Sequence, residues 1–423
     1  MKEEFLHHIW KTKLFSSEKL KTTDGEALQI IKVGELNTDA GPDFINARIK
    51  IADETWAGNI EIHIRSSDFF KHAHEIDSNY DNLILHVVFE NDVDIKRKDG
   101  TVIPAMELKN LIGADTIAKY ENLTFSTAKI PCSNLIQQVD DFTKQQMIER
   151  CGIERLQQKT EIIFTELEQN KNNWEETFYR LLAKSFGAKI NAEAFQLLAK
   201  SLPLSVLAKH KNNLFQIESL LFGVAGMLND KFVDVYPNEM KKEFDFLQKK
   251  YNLISVQSHA WKYFRLRPAN FPTIRIAQFA SLIFKSTHLF SKIIQVETVK
   301  ELQNFFQAEV SDYWKTHYTF DKLSEDKNKP VGNNFIDLIL INTVVPLVFA
   351  YGKWKDEDGF QNKSIGWLEK LTPESNTIIK NFEALGMKTK NAFDSQALIQ
   401  LNNNYCAKQL CLHCTIGHNI LRN

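Results

Sequence analysis

Gly58-Asn59-Ile60-Glu61-Ile62-His63-Ile64-Arg65 decides how the first part of this chain is read. Ile60, Ile62 and Ile64 alternate with Glu61, His63 and Arg65, the period of two that a β-strand imposes on its two faces. The isoleucine face fixes the register, because a slip of one residue would turn the ionisable groups inward. The opposite face then presents a carboxylate, an imidazole and a guanidinium to a cleft or to solvent. Upstream, Gly41-Pro42 is a turn signal, and Asp43 stands just before Phe44-Ile45-Asn46-Ala47-Arg48-Ile49-Lys50-Ile51, a second strand. Two carboxylates on adjacent strands repel each other unless a cation, a proton or a base lies between them. A divalent cation is one resolution, and Mg2+ needs only one or two carboxylates beside water. A solvated sheet face is the other.

Around this pair, residues 2–15 place Phe5, Leu6, Ile9 and Trp10 on one side of a short amphipathic helix. Strands are expected over 27–36, 44–52, 58–65 and 82–90, with a helix over 67–76 opened by Ser67. Residues 102–109 have the pattern for a further strand. On a helix, His72 and His74 would project about 200° apart, a poor chelate. His86, on the fourth strand, is placed to approach His63, with a hydrogen-bonded structural histidine as the alternative. Past Cys132 the apolar residues recur every three or four positions, as in Trp174, Phe178, Leu181, Leu182 and Phe186. The chain's 423 residues exceed what one core normally serves. Two domains are therefore expected: an α+β domain over 1–130 with a mixed sheet, and a mostly α-helical domain over 140–423 whose C-terminal cysteines pack back on the first.

The net charge of −1 advertises no nucleic-acid binder, so any such surface must be local. Trp261-Lys262-Tyr263-Phe264-Arg265-Leu266-Arg267-Pro268 is the densest basic and aromatic stretch. Arg265 and Arg267 suit phosphates, and the aromatics suit bases; the competing reading has the arginines satisfy helix ends or neutralise acids. The longest apolar stretch, Phe335 to Tyr351, is broken by Asp337, Asn342 and Pro346, which favours a buried helix over a membrane span. No signal peptide is legible in the acidic opening, and a cytoplasmic protein without membrane association is expected.

Five unevenly spaced cysteines do not make a disulfide framework. Cys406, Cys411 and Cys414 instead form a C-x4-C-x2-C cluster close to the last residue. A tetrahedral zinc site or an iron–sulfur (4Fe–4S) cluster needs a fourth ligand. Cys132 is the expected one, with His413 and His418 as alternatives, whereas Cys151 lies on an apolar helical stripe and is assigned to the core.

The order helix-strand-strand-strand-helix-strand, with Pro42-Asp43 opening one strand and Glu61-Ile62-His63 on the next, resembles the PD-(D/E)XK nuclease-like superfamily. In that superfamily the two acids hold a divalent metal, and a Lys two residues after the Glu orients the attacking water. The resemblance implies a restriction-endonuclease-like αβββαβ core, with Asp43 and Glu61 holding Mg2+ or Mn2+ and Glu35 as an added ligand. It further implies hydrolysis of DNA or RNA. The Lys position is His63, which can position or deprotonate a water near neutrality but supplies no permanent cation; restoring Lys there is expected to keep or raise activity. One Cys after this core and three at the far end are similar in logic to the iron–sulfur staples of some nucleases in the superfamily. Over its whole length the sequence also resembles an uncharacterised bacterial family, domain of unknown function 2851, through its Gly-Pro-Asp-Phe and Glu-Ile-His segments and its terminal cysteines. Two functions follow: a metal-dependent nuclease or nucleic-acid-binding descendant of one, or a scaffold protein with a structural metal.

Overall fold

Three β-branched or aromatic runs beside Glu61 become the middle of a six-stranded mixed sheet. Its strands are β1 (Leu28–Lys32), β2 (Glu35–Leu36), β3 (Phe44–Ile51), β4 (Glu54–Arg65), β5 (Leu83–Glu90) and β6 (Ala105–Glu107). The order is β1-β3-β4-β5-β6, with β2 also paired to β3. Pairs involving β3 are antiparallel, whereas β4–β5 and β5–β6 are parallel. The β3–β4 connection is a tight turn, with Ala52 at φ 51°. A parallel β4–β5 pair requires a crossover, and residues 66–82 supply it. The computed structural model describes every residue except Thr287. Residues 1–148 with 401–423 form one unit, and residues 149–400 form another.

The segment expected as one strand over 27–36 is two, β1 and β2, divided at Gly34. That residue has φ +92°, and a Cβ on it would stand 2.8 Å from the Ile45 carbonyl oxygen, so the chain turns where only glycine fits. Helix α1 (Glu3–Thr12) buries Phe5, Leu6, Ile9 and Trp10 and packs on β4. The Trp10 indole N–H donates to the Val33 carbonyl, and Phe5 stacks on Tyr120 of a helix at Ala114–Thr124.

The crossover corrects two expectations. Its helix, α2, is only Asp68–Lys71, and Ala73 at φ 57° ends helical geometry before His74. It also covers the face of β4 expected to meet a cleft or solvent: Phe69 of α2 lies against the rings of His63 and His86. Glu61 and His63 are 4% and 1% exposed, as buried as Ile60 and Ile62. β4 is thus covered on both faces, as strands with helical crossovers are.

Gly58 on β4 marks how closely this crossover returns. A Cβ there would meet the Asn82 carbonyl oxygen and Ile84 Cγ2, both at 2.6 Å. Gly58→Ala is expected to destabilise the first unit by about 1–3 kcal/mol, the usual range for overpacking. A lower urea midpoint in circular dichroism is the check, and an unchanged one would refute so tight an approach.

In the second unit the expected helical character holds. Its core is built from side chains such as Phe178, Tyr179, Phe222, Trp314 and Trp367 on successive helices. The loop expected over 318–333 begins as a small antiparallel hairpin, His317–Thr319 with Lys322–Leu323. One helix among the described residues, Asn333–Lys355, is long and apolar enough to cross a membrane, and 72% of its apolar window is buried inside the protein. Residues Leu340–Val344 within it are π-helical. Pro346 lacks the N–H that would complete the regular ladder, a known cause of such a bulge. The last residues, which the sequence pattern groups with the helical part, belong to the first unit.

Candidate metal centre

Asp43 and Glu61 reach across adjacent strands and hold each other's backbone. The Asp43 N–H donates to Glu61 Oε2 at 3.1 Å, and the Ile62 N–H donates to Asp43 Oδ2 at 2.9 Å. The register Phe44↔Ile60 places them so, and it is followed by an irregularity before Ala47, where Asn46 has φ 56°. On its other side Asp43 Oδ2 lies 3.2 Å from His7 Nε2. His7 stands one helical turn after Glu3 on α1, so both side chains lie on one helix face. Burial raises the Glu3 pKa, His72 and His7 oppose the rise, and Asp43 adds to it.

The second oxygen of Glu61 faces a group of imidazoles. Glu61 Oε1 is 3.2 Å from His74 Nε2 and 3.6 Å from His63 Nε2. His63 Nε2 is in turn 3.1 Å from His72 Nδ1, and ligand nitrogens of His63, His72 and His74 all lie within 4.8 Å of one another. The early end of α2 makes this possible. With Ala73 in the left-handed region, the His72 and His74 rings come to 5.3 Å instead of diverging around a helix. Tyr80 stacks on His74 at 3.9 Å, and Phe69 touches its edge.

Burial, followed by the neighbouring imidazoles His86, His72 and His74, pushes the His63 pKa down to about 3. Burial does the same to His86, down to about 4 with His74 adding to it, and His74 is lowered by burial and then by His72. Burial and the adjacent Asp43 push Glu61 up to about 9. Burial thus favours the neutral imidazoles of His63 and His86 and the protonated carboxyl of Glu61. The proton on Glu61 occupies the place a cation would take.

The donor set fits a divalent transition metal. Three neutral imidazole nitrogens and one carboxylate oxygen suit Zn2+ or Mn2+, whereas Mg2+ prefers an oxygen shell. His63 Nδ1 lies 2.9 Å from His86 Nε2, and His86 Nδ1 is a buried atom with no partner. If the Nδ1–H of His63 donates to His86, the Nε2 lone pair of His63 faces the other ligands, the orienting role of an outer partner in metal sites. This tautomer is assigned from the network.

Beside His74 opens a cavity of about 190 Å3, lined by Phe69, Tyr80, the run Lys96-Arg97-Lys98 and the acids Glu75, Asp81 and Asp99. Arg97 is fixed by hydrogen bonds to the carbonyls of Leu83 and Val102, and Lys98 pairs with Asp81, while Lys96 is exposed.

The structure brings together Asp43, Glu61 and His63, and adds His7, His72, His74 and His86 around them. Glu35 is not in the group; it is exposed and pairs with Lys32 at 2.7 Å. Arg265 and Arg267 are exposed in the second unit, the Arg265 guanidinium 5.2 Å from the Phe264 ring centre. Nearby Arg275 is buried over Phe335 and bonded to Gln278 and Asn270. Cys151 is fully buried. His7 and Glu3 were legible as an i, i+4 pair, and Lys96-Arg97-Lys98 as a basic run, but no local pattern links either to Glu61.

A family model described as Protein of unknown function (DUF2851) matches residues 3–377. No curated protein and no solved structure matches. None of these comparisons ties the chain to the PD-(D/E)XK nucleases.

Proposed function

This chain belongs to the DUF2851 family, and from its site we propose that it is a divalent-metal-dependent hydrolase of phosphodiesters, with DNA or RNA as substrate. The observation that carries the reading is the convergence of Glu61 with His63, His72 and His74, beside Asp43. A divalent cation bound there would polarise a phosphoryl oxygen and lower the pKa of a bound water. Glu61 and the three histidines would hold it. Asp43 fixes the strand of Glu61 through the Ile62 N–H and lies 3.2 Å from the buried Nε2 of His7. Lys96, exposed nearby, is a cation free to meet a phosphate. The strand and helix order around Asp43 and Glu61 supports a restriction-endonuclease-like core, with His63 at the position of the catalytic Lys.

The test is hydrolysis of single- and double-stranded DNA and RNA by chelator-free protein given Mg2+, Mn2+ or Zn2+. Cleavage with Mn2+ or Zn2+ is expected. Tight cation binding without hydrolysis of any phosphodiester would favour the second reading, a scaffold with a structural metal.

Nucleic-acid binding carries its own expectation. Arg265 and Arg267 follow an exposed aromatic, Phe264, a combination suited to stacking on bases while pairing with phosphates. In an Arg265→Ala/Arg267→Ala protein, the log–log salt dependence of affinity should flatten by about one unit for each phosphate that is no longer neutralised. An unchanged slope would remove these two residues from the binding surface.

A further inference from the structure

The four cysteines outside the second unit have no part in the centre above, yet the fold gathers them. Cys132 follows the helix Ala114–Thr124, and its carbonyl accepts from the N–H groups of Leu135 and Ile136, opening a short turn at Ile136–Gln138. The last helix, Thr415–Arg422, packs on that turn and on the helix before it. Cys414 is the N-cap residue of this last helix, and its N–H donates to the Cys411 carbonyl at 3.2 Å. Gly417 lets the Cys411 turn press onto the helix: a Cβ there would stand 2.1 Å from the Cys411 carbonyl oxygen. The loop from Cys406 to Cys411 folds back on itself. The Cys406 carbonyl accepts from Gln409, whose φ is 53°, and the Gln409 side chain donates to the Ser126 carbonyl at 3.0 Å.

The thiols of Cys132, Cys411 and Cys414 come within electrostatic reach of one another, although the whole second unit separates the first from the other two in sequence. Cys132 and Cys411 are only partly buried, unlike Cys151, which fills core space completely. His413 and His418 turn elsewhere, to Glu4 and His8 of α1. Three thiols gathered by tight backbone contacts, with a fourth on the same loop, are more than apolar packing needs.

We propose that Cys132, Cys406, Cys411 and Cys414 form a thiolate site for a thiophilic metal, zinc or an iron–sulfur cluster, that ties the end of the chain to the segment after the helix Ala114–Thr124. Four thiolates serve either metal centre. The tie closes a loop that contains the entire second unit, so it constrains the unfolded chain, and metal binding here contributes to folding. The site is independent of the histidine centre.

Full-length protein purified anaerobically without chelator tests this. Mass spectrometry for metals and an assay for acid-labile sulfide separate zinc from iron–sulfur, and the site is supported by whichever metal stays in Glu61→Gln and leaves in Cys411→Ser. The metal should persist in Glu61→Gln and be lost in Cys411→Ser. Because Cys411→Ser could fail to fold, thiol alkylation of the unaltered protein is the second measurement. Cys132, Cys406, Cys411 and Cys414 should become reactive only after a chelator strips the metal. Metal-free protein, a full complement in Cys411→Ser, or alkylation of all four at the same rate with and without chelator would overturn the proposal.

Discussion

Glu61→Gln is expected to abolish cation-dependent hydrolysis and to weaken cation binding more than any other single replacement in the centre. The amide keeps the size of the side chain, and its oxygen can still accept from the Asp43 N–H. Its NH2 then faces His74 and His63 with hydrogens where a ligand lone pair is needed. The fold should survive, because the reciprocal bonds between β3 and β4 remain. His86→Ala, which removes only the partner of His63 Nδ1, should cost roughly 10–100-fold in cation affinity, the usual loss for an outer partner. The geometry also reverses the expectation for His63→Lys. An ammonium at a position 1% exposed, between the rings of His86 and His72, must shed its water and takes the place of a ligand imidazole. That protein should lose binding and activity. Titration calorimetry with Mn2+ beside initial hydrolysis rates measures all three, and wild-type cation affinity in Glu61→Gln would end the reading of this centre.

The metal-free protein should be most stable in a narrow pH window and should release a proton when a cation binds. Glu61 has a folded pKa of about 9 against an ordinary value near 4.5. The native state therefore holds an extra proton between these values, and the stability this provides is complete below about 4.5 and lost as pH rises through about 9. His63 and His86 have folded values of about 3 and about 4, against 6.5. Below 6.5 the unfolded chain takes up protons that the native state refuses, so stability falls as pH drops toward those folded values. A tenfold difference in proton affinity between the folded and unfolded chain corresponds to about 1.4 kcal/mol. For side chains this deeply buried, the changes on either flank amount to several kcal/mol, about enough to unfold a marginal domain. Between about pH 4.5 and 6.5 the two histidines outweigh the single carboxyl, and above 6.5 Glu61 alone titrates, so maximum stability without metal is expected near pH 6.5.

A cation bound near pH 7 must displace the Glu61 proton, so about one proton should appear per cation. Calorimetry in buffers of different ionisation enthalpy counts it, and denaturation midpoints across pH 4–9 trace the window. Absence of proton release together with a flat midpoint profile would show that Glu61 is already ionised in the metal-free protein.

Much of the first unit was legible residue by residue. The alternation of Ile60, Ile62 and Ile64 identifies β4, Gly41-Pro42 places Asp43 at the entry to β3, and the apolar spacing after Cys132 identifies a helical region. These are local properties, because side-chain direction along an element repeats with that element's own period. Even so, the polar face of β4 could be read only as polar, and not as buried: burial depends on how the segment that follows the strand folds back over it, which the alternation itself does not encode. The pairing of His72 with His74 turned on one backbone conformation at Ala73, a residue whose type does not announce a left-handed φ. His7 reaches Asp43 because α1 docks on β4, and Glu35 leaves the centre because Lys32 holds it at an exposed edge. Periodicity and spacing thus determined the elements and the chemical types they carry. Only tertiary packing decided which of those side chains share a low-dielectric interior, and it is that interior that holds Glu61 protonated and the imidazoles neutral.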